Sequence, residues 1–357
     1  MPNPEIIETA EPASLSRFDM IIDVRSPAEF VEDHVPGAIN LPVLNNDERA
    51  IVGTIYVQES RFHARKVGAA MVAHNVARHL ETTLAEQPGS FRPLIYCWRG
   101  GQRSNSMATI LSQIGWRTAV LQGGYRTYRR RVQHRLYEQE ILLNLVLIDG
   151  GTGCGKTAVL QHLLEMGVQI IDLEAIAEHR GSSFGGFANR IQPSQKLFES
   201  RLLSAIESLD VSRPIAVEAE SSKVGARIIP PALWARMLTA PRLELSASRP
   251  ARVRYLLKAY ADIIHDHDAL ERAVARLPVY PGRKRIAEWK TLAGAGDFET
   301  LADAMVERHY DPAYERSRRR DQRSLLGTIE LTSVDDDGIR QAAISAANII
   351  REKLGSP

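Results

Sequence analysis

Two short stretches hold the residue types that can do chemistry. Cys97 is followed by Trp98-Arg99-Gly100-Gly101-Gln102-Arg103-Ser104, and Gly150-Gly151-Thr152-Gly153-Cys154-Gly155-Lys156-Thr157 fits G-x-x-x-x-G-K-[ST]. In the first, a glycine-bearing turn and an arginine six residues on trail a cysteine. Such a turn aims several backbone N–H groups at one point, with a helix N-terminus behind them. Positive potential there favours thiolate over thiol and holds an anion, so Cys97, with Arg99 and Arg103, is the candidate catalytic group. In the second, the glycines let the backbone curl around a di- or triphosphate. Lys156 supplies the mobile charge, and Thr157 offers a hydroxyl to Mg²⁺. Cys154 occupies a variable position of this cradle and reads as a small filler. An acid to support the metal is expected at a strand end; Glu218 and Asp172 both qualify, and no metal is firmly assigned.

Each loop needs a strand before it and a helix after it. Pro93-Leu94-Ile95-Tyr96 is a strand ahead of Cys97, and a helix with Met107, Ile110 and Leu111 on one face runs from Ser104 to Ile114. Asn144 to Asp149 is a strand ahead of the phosphate loop, with Val159, Leu160, Leu163 and Leu164 at helical spacing behind it. Further strands are expected at Met20–Val24, Ile39–Leu41, Thr118–Leu121, Gln169–Asp172, Pro214–Glu218 and Arg242–Leu245. A helical pattern fills Arg61 to Leu84. Tyr125 to Glu140 reads as a basic helical connector, and Ala251 to Leu354 as mostly helical. Strands alternating with helices predict parallel α/β sheets. The expected organisation is one α/β domain over 12–138 and a second over 139–357, the latter with a helical C-terminal region.

The 357 residues carry 45 Lys and Arg against 43 Asp and Glu, so no global field announces a nucleic-acid partner. The average conceals a local asymmetry. From Gln87 to Tyr137 there are nine arginines and no acid. Arg126, Arg129, Arg130, Arg131 and Arg135 are interleaved with Tyr125, Tyr128 and Tyr137, a pattern that can supply phosphate contacts and base stacking. Arg316, Arg318, Arg319, Arg320 and Arg323 form a second cluster. Two cysteines exclude a disulfide framework and a Cys-rich zinc site, and suit a reducing cytoplasm. The ten histidines show no metal spacing, and His265 and His267 read as surface or helix-cap residues. No apolar run reaches membrane-spanning length.

The Cys97 loop resembles the active-site loop of the rhodanese family. Asp23 to Phe30 and His34 to Pro42 are similar to that family's N-terminal signatures. The stretch from Val43 to Leu84 is longer than a plain rhodanese needs. Cysteine-dependent phosphatases share the Cys-x5-Arg spacing and are the chemical rival at this loop. Taken together, the two loops, Leu44 to Arg49, Val52 to Tyr56, Asp172-Leu173-Glu174, His179 to Gly185 and Glu218-Ala219-Glu220-Ser221 resemble the bacterial tRNA 2-selenouridine synthases. Cys154 stands where that family commonly has serine.

The resemblance implies a rhodanese-like parallel-sheet domain followed by a P-loop NTPase-like domain, acting on tRNA with wobble 2-thiouridine. It implies two co-substrates, geranyl diphosphate and selenophosphate, and no tightly bound cofactor. Sulfur would first be geranylated and the S-geranyl group then replaced by selenium. On this reading the phosphate loop holds the prenyl diphosphate and Cys97 receives selenium. The Arg126–Arg135 segment holds tRNA, and selenophosphate synthetase is a candidate source of the donor. Two other classes fit the residues: a P-loop kinase or ATPase whose rhodanese module delivers sulfur to an RNA or other acceptor, and a non-enzymatic tRNA-binding or redox-sensing protein.

Overall fold

The computed structural model describes residues 3–355 apart from 183–184, 188–189, 265, 267–269, 271–272 and 274–281. Ser183, Phe184, His265 and His267 therefore lie outside the described residues. The chain divides into two compact units, Met1–Glu138 with Glu199–Ser204, and Gln139–Phe198 with Ala205–Pro357.

The first unit is built on strands β1 (Glu5–Ile7), β2 (Met20–Asp23), β3 (Ile39–Asn40), β4 (Pro93–Tyr96) and β5 (Ala119–Leu121). They form one sheet in the order β1-β5-β4-β2-β3, with every pair parallel. β4 is central and all four of its residues are buried, as a strand covered on both faces requires. Ile22, Val24, Ile95, Met107, Leu111 and Val120 anchor the core. The helix Gln102–Ile114 follows the Cys97 loop and is stopped by Gly115 at φ +107°. The expected basic connector is a helix over Tyr125–Gln133 that continues as a π-helical turn, His134–Glu138.

In the second unit, strands β6 (Asn144–Gly150), β7 (Gln169–Ile171) and β8 (Pro214–Glu218) precede a short hairpin, β9 (Lys223–Val224) with β10 (Arg227–Ile228). Strands β11 (Arg242–Ala247) and β12 (Leu325–Leu331) complete a parallel sheet in the order β12-β11-β6-β8-β7. β6 is central here, as β4 is in the first sheet. β12 interrupts the region expected to be helical. It pairs along the whole of β11, so β11 becomes an interior strand and β12 the edge of the sheet. The terminal helix Asp336–Leu354 lays Ala342, Ala343, Ala346 and Ala347 against Val159, Leu160 and Leu163; the small residues permit close helix packing. A separate helical core gathers Ile263, Trp289, Leu301, Ala304 and Met305. Among the described residues, no helix is long and apolar enough to cross a membrane.

Candidate functional site

Cys97 begins the loop that leaves the carboxyl end of β4, the end of an open parallel sheet at which ligands bind. Its side chain is 4% exposed. The Gly101 N–H donates to Sγ at 3.3 Å, and the Ser104 hydroxyl lies 3.3 Å from Sγ. Burial raises the thiol's pKa. The Ser104 hydroxyl and the backbone N–H groups of Ser104, Arg99 and Gly101 outweigh it and hold the thiol below its ordinary value. The backbone N–H groups expected to favour the thiolate do lower the pKa, joined by the Ser104 hydroxyl, whereas the two guanidinium groups are turned to other surroundings. Arg99 is exposed. Arg103 forks onto Glu29 at 2.6 and 3.2 Å, and this partner lies 74 positions away in the chain. Ser104, not singled out from sequence, makes a side-chain hydrogen bond with the sulfur.

The loop is held from beneath. Tyr125 donates its backbone N–H to the Cys97 carbonyl at 2.8 Å, and its ring stacks on Trp98 with centroids 5.2 Å apart. The Tyr125 hydroxyl donates to Asp33 at 2.6 Å. The Arg25 guanidinium lies 4.1 Å from the Tyr125 ring and donates to Asp23 at 2.6 Å and to the Asp33 carbonyl at 2.5 Å. Arg25 and Asp23 are almost wholly buried, a placement that requires such complete pairing. Gly124, at φ +57°, passes so close to the Cys97 carbonyl that a Cβ there would overlap it.

Tyr125 and Tyr128 are thus core residues, 2% and 3% exposed, and cannot stack on bases as the interleaved pattern suggested. Tyr137 is exposed at 45%, with its hydroxyl donating to Glu199 at 2.6 Å. The arginines divide in the same way. Arg129 pairs with Asp33 and Glu199, and Arg131 with Glu11 at 2.8 Å. Arg126, Arg130 and Arg135 are exposed. The acid-free run is partly neutralised by acids from elsewhere in the chain, Arg92 with Asp19 included.

The phosphate loop leaves the carboxyl end of β6. Gly150, Gly153 and Gly155 have φ of +145°, +87° and +74°, conformations that glycine adopts without strain. Lys156 Nζ donates to the Gly150 carbonyl at 2.9 Å, and Arg252 donates to the Thr152 carbonyl at 2.8 Å while pairing with Asp311 at 2.6 Å. Gly151 packs against the Arg252 guanidinium. Cys154 is 2% exposed within the core, and its thiol is pushed up by burial, as befits a filler.

Thr157 does not meet Glu218 or Asp172. Its hydroxyl donates to Glu174 at 2.7 Å. Asp172 caps the helix Leu173–Ala177 by accepting from the Ala175 N–H at 2.7 Å. Glu218 is fully buried, accepts from the Leu173 N–H at 3.1 Å through one oxygen, and leaves its other oxygen without a partner. Glu174 is pushed up to about 7, first by burial and then by the neighbouring Glu220, which burial also raises. Glu174 and Glu220 both line the cleft, a cavity of 1520 Å³ that contains the phosphate loop and runs past Arg316, Arg318, Arg320 and Arg323. Four of the five arginines of the second cluster therefore line the same cleft as the phosphate loop, and Arg319 does not. No group of three or more His, Cys, Asp or Glu forms a ready-made metal site among the described residues. A cation here would need oxygen ligands from a bound diphosphate, as Mg²⁺ commonly does.

A cysteine loop at the end of one central strand and a phosphate loop at the end of another define a rhodanese-like domain joined to a P-loop domain. Residues 8–131 match the rhodanese-like domain model, and residues 143–276 match the tRNA 2-selenouridine synthase AAA domain model. The chain belongs to the tRNA 2-selenouridine synthase family. It is 35% identical over 244 residues to the synthase of Nitrosomonas europaea, covering 67% of this chain and 63% of that protein. With the synthase of Shewanella denitrificans it shares 33% over 292 residues, 80% of this chain and 76% of the relative. With that of a Sulfurovum species it shares 30% over 341 residues, 86% and 90% respectively. The chain spans just under two thirds of the length of the Nitrosomonas europaea and Bdellovibrio bacteriovorus relatives, 63% and 64%.

Proposed function

We propose that the protein converts wobble 2-thiouridine of tRNA to 2-selenouridine through S-geranyl-2-thiouridine, using geranyl diphosphate and selenophosphate. The observation that carries the reading is the pair of loops, each at the end of the central strand of its own parallel sheet, one built for a thiolate and the other for a diphosphate.

At the phosphate loop, the thiocarbonyl sulfur attacks the first carbon of the geranyl group. The carbon–oxygen bond breaks, and pyrophosphate leaves with the bonding pair. Lys156 and the loop N–H groups stabilise the charge that develops on the leaving group. Thr157 and Glu174 would hold Mg²⁺, which would supply charge neutralisation of the diphosphate. Their fit follows from geometry: a hydroxyl and a carboxyl 2.7 Å apart present two oxygen donors in the cleft that holds the phosphate loop. Alkylation turns the sulfur into a leaving group. Selenium from selenophosphate then adds at carbon 2, geranyl thiolate departs, and hydrolysis of the selenium–phosphorus bond gives selenouridine and phosphate.

The Cys97 loop supports the second stage: its N–H groups can receive the selenophosphate anion, and the Cys97 thiolate beside them takes the phosphoryl group as the selenium–phosphorus bond breaks, water then releasing phosphate and restoring the thiol. A selenophosphate synthetase is the matching supplier of the donor. Lys156→Ala tests the assignment of the first stage. Nucleosides digested from treated tRNA should lack the geranylated species by mass spectrometry, and an unchanged yield refutes it.

A further inference from the structure

Beside the phosphate loop lies a crevice of very different character. Its walls include Leu257, Ile264, Phe298, Leu301 and Ala302, and almost all of its surface is apolar. Thr152, Leu256, Tyr260 and Tyr310 line both this crevice and the phosphate cleft, so the two spaces adjoin. The junction is tight at the loop itself, where a Cβ on Gly153 would lie 3.1 Å from Leu256 Cγ. Tyr260 marks the change of polarity. Its hydroxyl is 2.6 Å from the Ser182 hydroxyl on the cleft side, while its ring belongs with the apolar cluster.

An anion cradle with an apolar crevice at its side suits a ligand with a phosphorylated head and a hydrocarbon tail. A nucleotide would put a polar sugar where the walls offer no partner, and an unpaired polar group there is costly. We propose that the crevice between the helices Arg249–Ala259 and Phe298–Met305 receives the hydrocarbon chain of a prenyl diphosphate, with Leu256 and Tyr260 at the branch point and Ala302 on the crevice wall. The proposal rests on the prenyl-transfer reading of the phosphate loop and assigns the residues that recognise the tail. The helical core around Trp289 and Leu301 then has a function, because it supplies the apolar walls that the parallel sheet does not.

Ala302 is partly exposed and lies on a helix, so a larger side chain can enter the crevice without a change of backbone. The test measures Kd values of the full chain, with Mg²⁺, for inorganic pyrophosphate, dimethylallyl diphosphate and geranyl diphosphate. Wild-type protein should bind geranyl diphosphate at least tenfold more tightly than pyrophosphate, with the five-carbon ester between them. Ala302→Phe should remove most of that preference and leave pyrophosphate affinity within twofold. Leu257→Ser should do the same from the opposite wall. If geranyl diphosphate is preferred and both variants keep the preference, the crevice assignment fails while the prenyl-transfer reading stands. If wild-type protein shows no preference for the ester, both fail. Unaltered pyrophosphate binding controls for folding of each variant.

Discussion

The hydroxyl of Thr157 donates to Glu174 across 2.7 Å. The residue that the phosphate-loop motif reserves for a cation is therefore held by an acid 17 positions away, on the helix after β7. Burial and the charge of Glu220 keep that acid poised near neutrality, pushed up to about 7, so the site gains negative charge where a diphosphate and Mg²⁺ would arrive.

The pH dependence follows. Diphosphate binding with Mg²⁺ should strengthen between pH 6 and 8 as Glu174 ionises, and Glu174→Gln should flatten that rise. Stability runs in the opposite sense. The folded-state pKa lies above the unfolded value, so the acid destabilises the fold increasingly as pH climbs from about 4.5 to about 7. Glu174→Gln should raise the Tm by about 2–4 °C at pH 8 and leave it unchanged at pH 4.5. Calorimetry at the two pH values checks both limbs.

Ser104 governs the thiol. Ser104→Ala removes the side-chain hydrogen bond that opposes burial, so the Cys97 pKa should rise. Iodoacetamide labelling of Cys97, followed by mass spectrometry, should slow near pH 7 and match wild type near pH 10. Equal rates at pH 7 would show that the backbone N–H groups suffice alone.

Gly124→Ala forces a left-handed backbone on a residue with a Cβ and drives that Cβ into the Cys97 carbonyl. The conformational penalty alone is about 1–2 kcal/mol, and the overlap adds to it. The variant should melt earlier and lose the acidified thiol, whereas Gly89→Ala, which meets nothing within 4 Å, should do neither.

The arginines of the Tyr125–Gln133 helix should separate into two groups. Arg129→Ala removes a guanidinium partner from Asp33 and Glu199, each 1% exposed in its side chain; the loss should be on the order of 3 kcal/mol in chemical denaturation. Arg126→Ala with Arg130→Ala should preserve stability and weaken tRNA binding. The salt dependence should flatten by roughly one unit of slope for each tRNA phosphate that is no longer neutralised. An unchanged slope would remove this face from the tRNA interface.

Both reactive loops were legible in the sequence because their chemistry is local. Each is a strand, a glycine-bearing turn and a helix within about twenty residues, and period and turn composition mark all three. Tertiary partners were not legible. Nothing near Arg103 in the chain points to Glu29, and nothing near Arg131 points to Glu11. Glu174 was hidden because Asp172 and Glu218 stand at strand ends, where a metal acid is expected. Asp172 caps a helix instead, and Glu218 sinks into the core. β12 escaped because Leu325–Leu331 contains a glycine and buries only two of its seven residues, too weak an alternation to stand out among helical patterns.

The most direct test of the two-stage reaction is nucleoside mass spectrometry of 2-thiouridine tRNA incubated with Cys97→Ser protein, geranyl diphosphate and selenophosphate. S-geranyl-2-thiouridine should accumulate while 2-selenouridine stays absent, because the phosphate loop is intact and the thiolate is gone. Selenouridine at the wild-type level would contradict the role given to Cys97, and absence of the geranylated nucleoside from wild-type and variant reactions alike would contradict the two-stage reaction.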